Sequence, residues 1–123
     1  MDGLKVAVWG LTFKARTDDL RESPSLAVIR RLVAGGASVT AFDPTVARQL
    51  PEVAGLVTVT DPYAACEGAG VLAVLTEWDE FRWLDFDKVA EVMAAPVVVD
   101  ARNLLDPAPL KRRGFAYEGI GRT

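Results

Sequence analysis

The chain has no histidine and a single cysteine, Cys66, in 123 residues. Without histidine the commonest general base and metal ligand is missing. No Ser–His or Cys–His nucleophile pair can form within the chain. One cysteine excludes an internal disulfide, a usage compatible with the cytosol, and a cytoplasmic setting is expected. No apolar run approaches the roughly 18 residues that a membrane span needs. The opening Met1-Asp2-Gly3-Leu4-Lys5 lacks the basic stretch and apolar core of a signal peptide. Positive charge is not in excess either: the formal net charge is -3, which leaves no global basic field for nucleic acid. Neither nucleic acid nor a membrane is expected as a partner. Both glycine-rich phosphate loops are also missing, since G-x-G-x-x-G and G-x-x-x-x-G-K-[ST] occur nowhere.

What is present describes an ordinary globular chain of one domain, 50% hydrophobic and 25% charged. Its organising stretch runs from Trp9 to Pro24. The apolar run Leu4 to Trp9 before it reads as a buried strand covered on both faces. Ser23-Pro24 after it opens a helix, with Ser23 as N-cap and Pro24 at the first helical position, where its missing N–H costs nothing. The intervening loop carries Lys14, Arg16 and Arg21. In an open α/β sheet this is the loop at the carboxyl end of the first strand, where ligands bind. A helix N-terminus there suits a phosphate. With Gly10 as the only glycine of a fingerprint, side chains such as Lys14 and Arg21 must do much of the anion binding.

The rest of the chain alternates in the same way. Leu26, Ile29, Leu32 and Val33 fall at helical spacing, and Gly35-Gly36 stops that helix. Ser38 to Phe42 reads as a strand ended by Asp43-Pro44. A short helix is expected over Thr45 to Leu50, a strand over Leu56 to Thr60, and a helix capped by Asp61 to about Glu67. Val71 to Leu75 reads as a central strand. Glu77 to Trp83 reads as an aromatic, acidic loop with a helical turn. Phe86, Val89, Ala90 and Met93 mark a helical face with Asp85 as its cap. Pro96 to Asp100 reads as a strand, Asp106 to Arg113 as a short helix entered through Pro107 and stopped by Gly114, and Phe115 to Gly119 as a last strand. The pattern predicts an α/β fold: a single-domain, doubly wound, mostly parallel, Rossmann-like sheet with helices on both faces.

Several short motifs occur in order along nearly the whole chain. They are Gly10-Leu11-Thr12-Phe13-Lys14, Thr17-Asp18-Asp19-Leu20-Arg21-Glu22-Ser23-Pro24-Ser25, Ala41-Phe42-Asp43-Pro44, Thr76-Glu77-Trp78-Asp79-Glu80-Phe81, Val99-Asp100-Ala101-Arg102-Asn103 and Tyr117-Glu118-Gly119-Ile120-Gly121-Arg122. Together they resemble the C-terminal, UDP-binding domain of the UDP-glucose/GDP-mannose dehydrogenase family. The family oxidises the C6 alcohol of a nucleotide sugar to a carboxylate in two NAD-dependent steps. The resemblance implies that residues 1–123 are that domain of a longer enzyme, without the N-terminal NAD-binding and central domains. It implies a UDP-sugar as ligand, NAD held mainly by the N-terminal domain, and a homodimer in the full-length form. The family's catalytic cysteine lies outside this domain, so no catalytic residue is assigned here. The rival reading is a stand-alone nucleotide-binding or regulatory module, or a chain that keeps the fold and serves only in assembly.

Residue by residue, the resemblance assigns Phe13 and Lys14 to the UDP-sugar. The alternative is a solvated loop lysine beside a core phenylalanine. Arg21 is assigned to the NAD pyrophosphate, against a salt bridge with Asp18, Asp19 or Glu22; an exposed pair of that kind is worth only about 0–1 kcal/mol. Arg102, at the carboxyl end of the strand ending in Asp100, is assigned to the UDP-sugar, against a structural pair with Asp100 or Asp106. Ala101 stands where the family often has glycine. Asp43 reads first as a turn-former and second as a ribose ligand. Trp78 is either a stacking platform or packing. Cys66, on a helix without a basic neighbour in sequence, reads as a buried small hydrophobe.

Overall fold

The computed structural model describes residues 3–11, 24–46, 49, 53–76, 78–102 and 104–119. Its strands are β1 (Lys5–Trp9), β2 (Ser38–Phe42), β3 (Leu56–Val59), β4 (Val71–Val74), β5 (Val97–Asp100) and β6 (Ala116–Gly119). They form one sheet in the order β3-β2-β1-β4-β5-β6, and all five pairings are parallel. The helices are α1 (Pro24–Ala34), α2 (Pro62–Cys66), α3 (Phe86–Val92) and α4 (Pro107–Arg112), with a 3-10 turn at Asp79–Trp83. The order of elements along the chain is the expected one apart from the helix read over Thr45 to Leu50, and the mostly parallel sheet is parallel in every described strand pairing.

Strand periodicity explains how the sheet is covered. Successive side chains of a strand point to opposite faces, so an unbroken apolar strand feeds two cores. In β1, Val6 and Val8 join one cluster with Val39, Ala41 and the α1 residues Leu26 and Ile29. Ala7 and Trp9 join the other with Leu72, Val74 and Val98, covered by Cys66 of α2, Val89 of α3 and Leu110 of α4. Helices therefore cover both faces, but unevenly: α1 on one, α2, α3 and α4 on the other. At the sheet edges the pattern relaxes, with Val57 of β3 half exposed and Ala116 and Glu118 of β6 exposed.

Local signals set the ends of the helices. The side chains of Asp61, Asp85 and Asp106 each accept backbone N–H groups in the first turn of α2, α3 and α4, which satisfies donors that a helix start leaves open. After α1, the N–H of Gly36 bonds the Val33 carbonyl and the N–H of Ala37 bonds the Leu32 carbonyl, both at 3.0 Å. This double closure needs a left-handed residue, and Gly36 supplies it at φ +96°.

One expected element is corrected. Thr45 to Leu50 does not begin as a helix: Thr45 lies in a turn and Val46 forms an isolated antiparallel bridge with Asp43. Positions 47, 48 and 50 lie outside the described residues. The reason is Asp43, whose Oδ1 takes both the backbone N–H and the hydroxyl of Thr45, at 2.8 and 2.7 Å. Such local side-chain bonding competes with helix formation. Buried Val46 and Val53 then help cover the sheet face beside α1.

Candidate functional site

Parallel pairing places the carboxyl ends of the strands along one edge. Trp9 pairs with Phe42 on one side and Val74 on the other, and Val74 pairs with Asp100. The residues that follow (Gly10, Asp43, Leu75 and Ala101) thus begin four adjacent loops. β1 leads outward to β2 in one direction, whereas β4 leads to β5 in the other. The crevice between β1 and β4 is the topological switch point, where open α/β sheets bind ligands.

The described residues that flank the segment 12–23 meet at this point. At its start, the Gly10 N–H donates to the Phe42 carbonyl at 2.8 Å, and the Leu75 N–H donates to the Trp9 carbonyl at 2.9 Å. Gly10 has φ +105°, and a Cβ there would lie 2.4 Å from the Thr76 Cβ and 2.7 Å from the Thr76 backbone nitrogen. Only glycine lets the β1 and β4 ends come this close. At the loop's return, Ser25 in the first turn of α1 is buried, with its Oγ 3.4 Å from both the Leu75 carbonyl oxygen and the Thr76 Oγ1. Both ends of the loop are therefore tied to the end of β4. Phe13, Lys14 and Arg21, together with Arg21's acidic neighbours, lie outside the described residues.

Beneath this edge sits an aromatic floor. The Trp9 ring lies 5.4 Å from Phe81 and 5.8 Å from Phe86, and Phe42 lies 6.2 Å from Phe81. Trp9 has no exposed surface, and its indole N–H donates to the Pro62 carbonyl at 3.1 Å, the partner a buried indole needs. Trp78 packs against the same cluster, partly buried. Among the described residues its buried Nε1 has no hydrogen-bond partner, so its observed contacts are those of packing.

Two buried aspartates close the strands beside the crevice. Asp43, at the end of β2, accepts the Leu11 N–H on Oδ2 at 2.7 Å and the two Thr45 donors on Oδ1. It is the turn-former of the two readings, and it also ties down the start of the 12–23 loop. With both oxygens engaged and the residue 2% exposed, its carboxylate does not fit a ribose. Together with the missing glycine fingerprint, this makes the β1–α1–β2 unit a poor fit for a dinucleotide of its own.

Asp100, at the end of β5, has no exposed surface. Its Oδ1 accepts the Arg102 N–H at 3.1 Å, and its Oδ2 accepts the Leu105 N–H at 2.7 Å and the Tyr117 hydroxyl at 2.9 Å. Arg102 itself is exposed, on the turn that follows β5. Of the two carboxylates considered as its structural partners, Asp100 accepts these three donors and Asp106 caps α4. Sequence reasoning missed the Asp100 clasp. An aspartate ending a strand hints at a turn, but the Tyr117 donor lies 17 residues away and leaves no local signal.

Cys66 is buried. Burial pushes its thiol up to about 12, while the Trp9 side chain and the nearby charge of Lys5 pull weakly the other way. Lys5 is thus a basic neighbour in space, though not in sequence, and desolvation still dominates. A thiol held neutral at this depth is inert. Among the described residues, no group of three or more histidine, cysteine or acidic side chains is arranged to hold a metal ion. No helix among them is long and apolar enough to cross a membrane.

Comparison with known proteins adds a consistent set of relatives. Residues 7–107 match the UDP binding domain of the UDP-glucose/GDP-mannose dehydrogenase family. The chain is 47% identical to UDP-glucose 6-dehydrogenase from Pseudomonas aeruginosa, over 98% of this chain and 28% of that protein. Among solved structures it resembles the NDP-N-acetyl-D-galactosaminuronic acid dehydrogenase of Methanosarcina mazei, with a TM-score of 0.86 and 32% identity over 98% of this chain and 25% of that one. It also resembles a UDP-glucose dehydrogenase from Pyrobaculum islandicum, with a TM-score of 0.78 and 31% identity over 100% of this chain and 26% of that one. The chain therefore spans little more than a quarter of the length of these relatives.

Proposed function

The chain belongs to the UDP-glucose/GDP-mannose dehydrogenase family, as its UDP-binding domain, and from that membership we propose that it grips the UDP half of a UDP-sugar in an NAD-dependent UDP-glucose 6-dehydrogenase. In this reading residues 1–123 are the C-terminal domain of a longer, cytosolic, homodimeric enzyme that converts UDP-glucose to UDP-glucuronate. Phe13, Lys14 and Arg102 contact the UDP-sugar. Arg21 reaches the pyrophosphate of NAD held mainly by the N-terminal domain. Hydride acceptance is the chemistry that NAD supplies when bound there. This chain's own part is positioning: nucleotide binding energy is used to hold the sugar for chemistry elsewhere.

The observation that carries the proposal is the shared edge. Arg102 is exposed at the carboxyl end of β5, and the described residues that flank the segment bearing Lys14 lie at the neighbouring switch point. A lysine and an arginine suit a diphosphate, the arginine through its planar fork of donors.

Titration calorimetry of the 123-residue chain with UDP at millimolar concentration tests it. UDP should bind. Lys14→Ala and Arg102→Ala should each weaken binding roughly tenfold or more, since a hydrogen bond to a charged group is worth about 1.5–3 kcal/mol. Arg21→Ala should leave UDP binding nearly unchanged and raise the KM for NAD in a full-length enzyme. Equal affinity for UDP, ATP and inorganic phosphate, or NADH formation by this chain alone, would overturn the reading.

A further inference from the structure

Arg102 is exposed on the turn that follows β5. The turn is held by the Asp100 carboxylate beneath it, fully buried at the end of β5. Its three donors come from three places: the turn itself at Arg102, the approach to α4 at Leu105, and the strand β6 at Tyr117. Burying a carboxylate is costly unless it is fully hydrogen-bonded, and this one is bonded on both oxygens. The result is a rigid base for a long side chain. An arginine fork recognises phosphate oxygens bidentately only when its origin is correctly placed.

We propose that Asp100 and Tyr117 are positioning residues for Arg102, so that β6 contributes to diphosphate recognition without touching the ligand. The inference rests on the reading that Arg102 contacts the UDP-sugar. Asp100 fixes the backbone from which Arg102 reaches. The Tyr117 hydroxyl fixes Asp100 from the neighbouring strand, where the Tyr117 backbone pairs with Val98 and its ring packs on the larger core.

The test is a double-mutant cycle read as UDP affinity by titration calorimetry. The four proteins are the unaltered 123-residue chain, Arg102→Ala, Tyr117→Phe and the double variant, each measured well below its unfolding midpoint. Tyr117→Phe keeps the ring and removes only the hydroxyl. It should weaken UDP binding about three- to tenfold in the unaltered background and add nothing in the Arg102→Ala background, the coupling expected of residues in one network. Asp100→Asn keeps the shape but turns an NH₂ group toward donors, and should show the same dependence on Arg102 with a larger loss. If Asp100→Asn does not fold, Tyr117→Phe decides alone. Equal loss from Tyr117→Phe in both backgrounds, or no loss in either, would mean a merely structural clasp and overturn the inference, leaving the nucleotide reading intact. No UDP binding by the unaltered chain, or no effect of Arg102→Ala, would overturn that reading and this inference with it.

Discussion

Gly10→Ala probes the close approach on which the crevice depends. Two costs combine. The residue sits at φ +105°, and a left-handed backbone costs a residue with a Cβ roughly 1–2 kcal/mol. The added methyl would also lie 2.4 Å from the Thr76 Cβ, 2.5 Å from its Oγ1 and 2.7 Å from its backbone nitrogen. Carbon atoms in contact prefer about 3.5–4.0 Å, so the β1 or β4 end must move by about an ångström. Thr76 cannot easily retreat, because it is buried against Ser25. Overpacking of this kind costs about 1–3 kcal/mol. The sum, about 2–5 kcal/mol, is a large part of the 5–15 kcal/mol of a typical domain. Guanidinium denaturation should show it as a lower midpoint. The steric share can be separated by combining Gly10→Ala with Thr76→Gly, which removes Cβ and Oγ1 but leaves the backbone nitrogen in place. The double variant should therefore be more stable than the two single losses predict, by about 1 kcal/mol or more, without full rescue. A Gly10→Ala chain within about 0.5 kcal/mol of the unaltered one, the usual range for innocuous surface changes, would refute the reasoning. Strict additivity with Thr76→Gly would refute its steric half.

Cys66 should resist a thiol reagent at pH 8 in the folded chain and react once the chain unfolds. Its folded thiol lies at about 12 against 9.0, so its neutral form stabilises the fold fully below pH 9, and that advantage is lost as pH rises from 9 towards 12, by at most about 1.4 kcal/mol per pH unit. The stability gap between the unaltered chain and Cys66→Ala should accordingly narrow above pH 9; a constant gap would contradict the sign. Asp43→Asn leaves one oxygen to serve the Leu11 N–H and the two Thr45 donors, and an unsatisfied buried group costs about 1–3 kcal/mol. Denaturation midpoints should fall by that much, and an unchanged midpoint would show that the clasp does not hold the loop.

What the sequence determined by itself was most of what depends on near neighbours. The stretches read as strands over Leu4 to Trp9 and Ser38 to Phe42 are strands at Lys5–Trp9 and Ser38–Phe42, the first because a nearly continuous apolar run buries both faces of a parallel sheet. Asp61 and Asp85 cap helices because capping is chemistry between residues two or three positions apart. The ordered motifs were readable for the same reason, and they pointed to the family that residues 7–107 match. The tertiary structure alone decided which strands lie side by side, and hence that the ends of β1 and β4 form the crevice. It alone decided that Asp43 reaches back 32 residues to Leu11 and that Tyr117 reaches back 17 to Asp100. The helix expected from Thr45 lost to a local rival, because the bonds from Thr45 to the buried Asp43 carboxylate outweigh a weak helical preference. The Asp43–Leu11 and Tyr117–Asp100 contacts depend on the spatial order of strands, which no local spacing encodes.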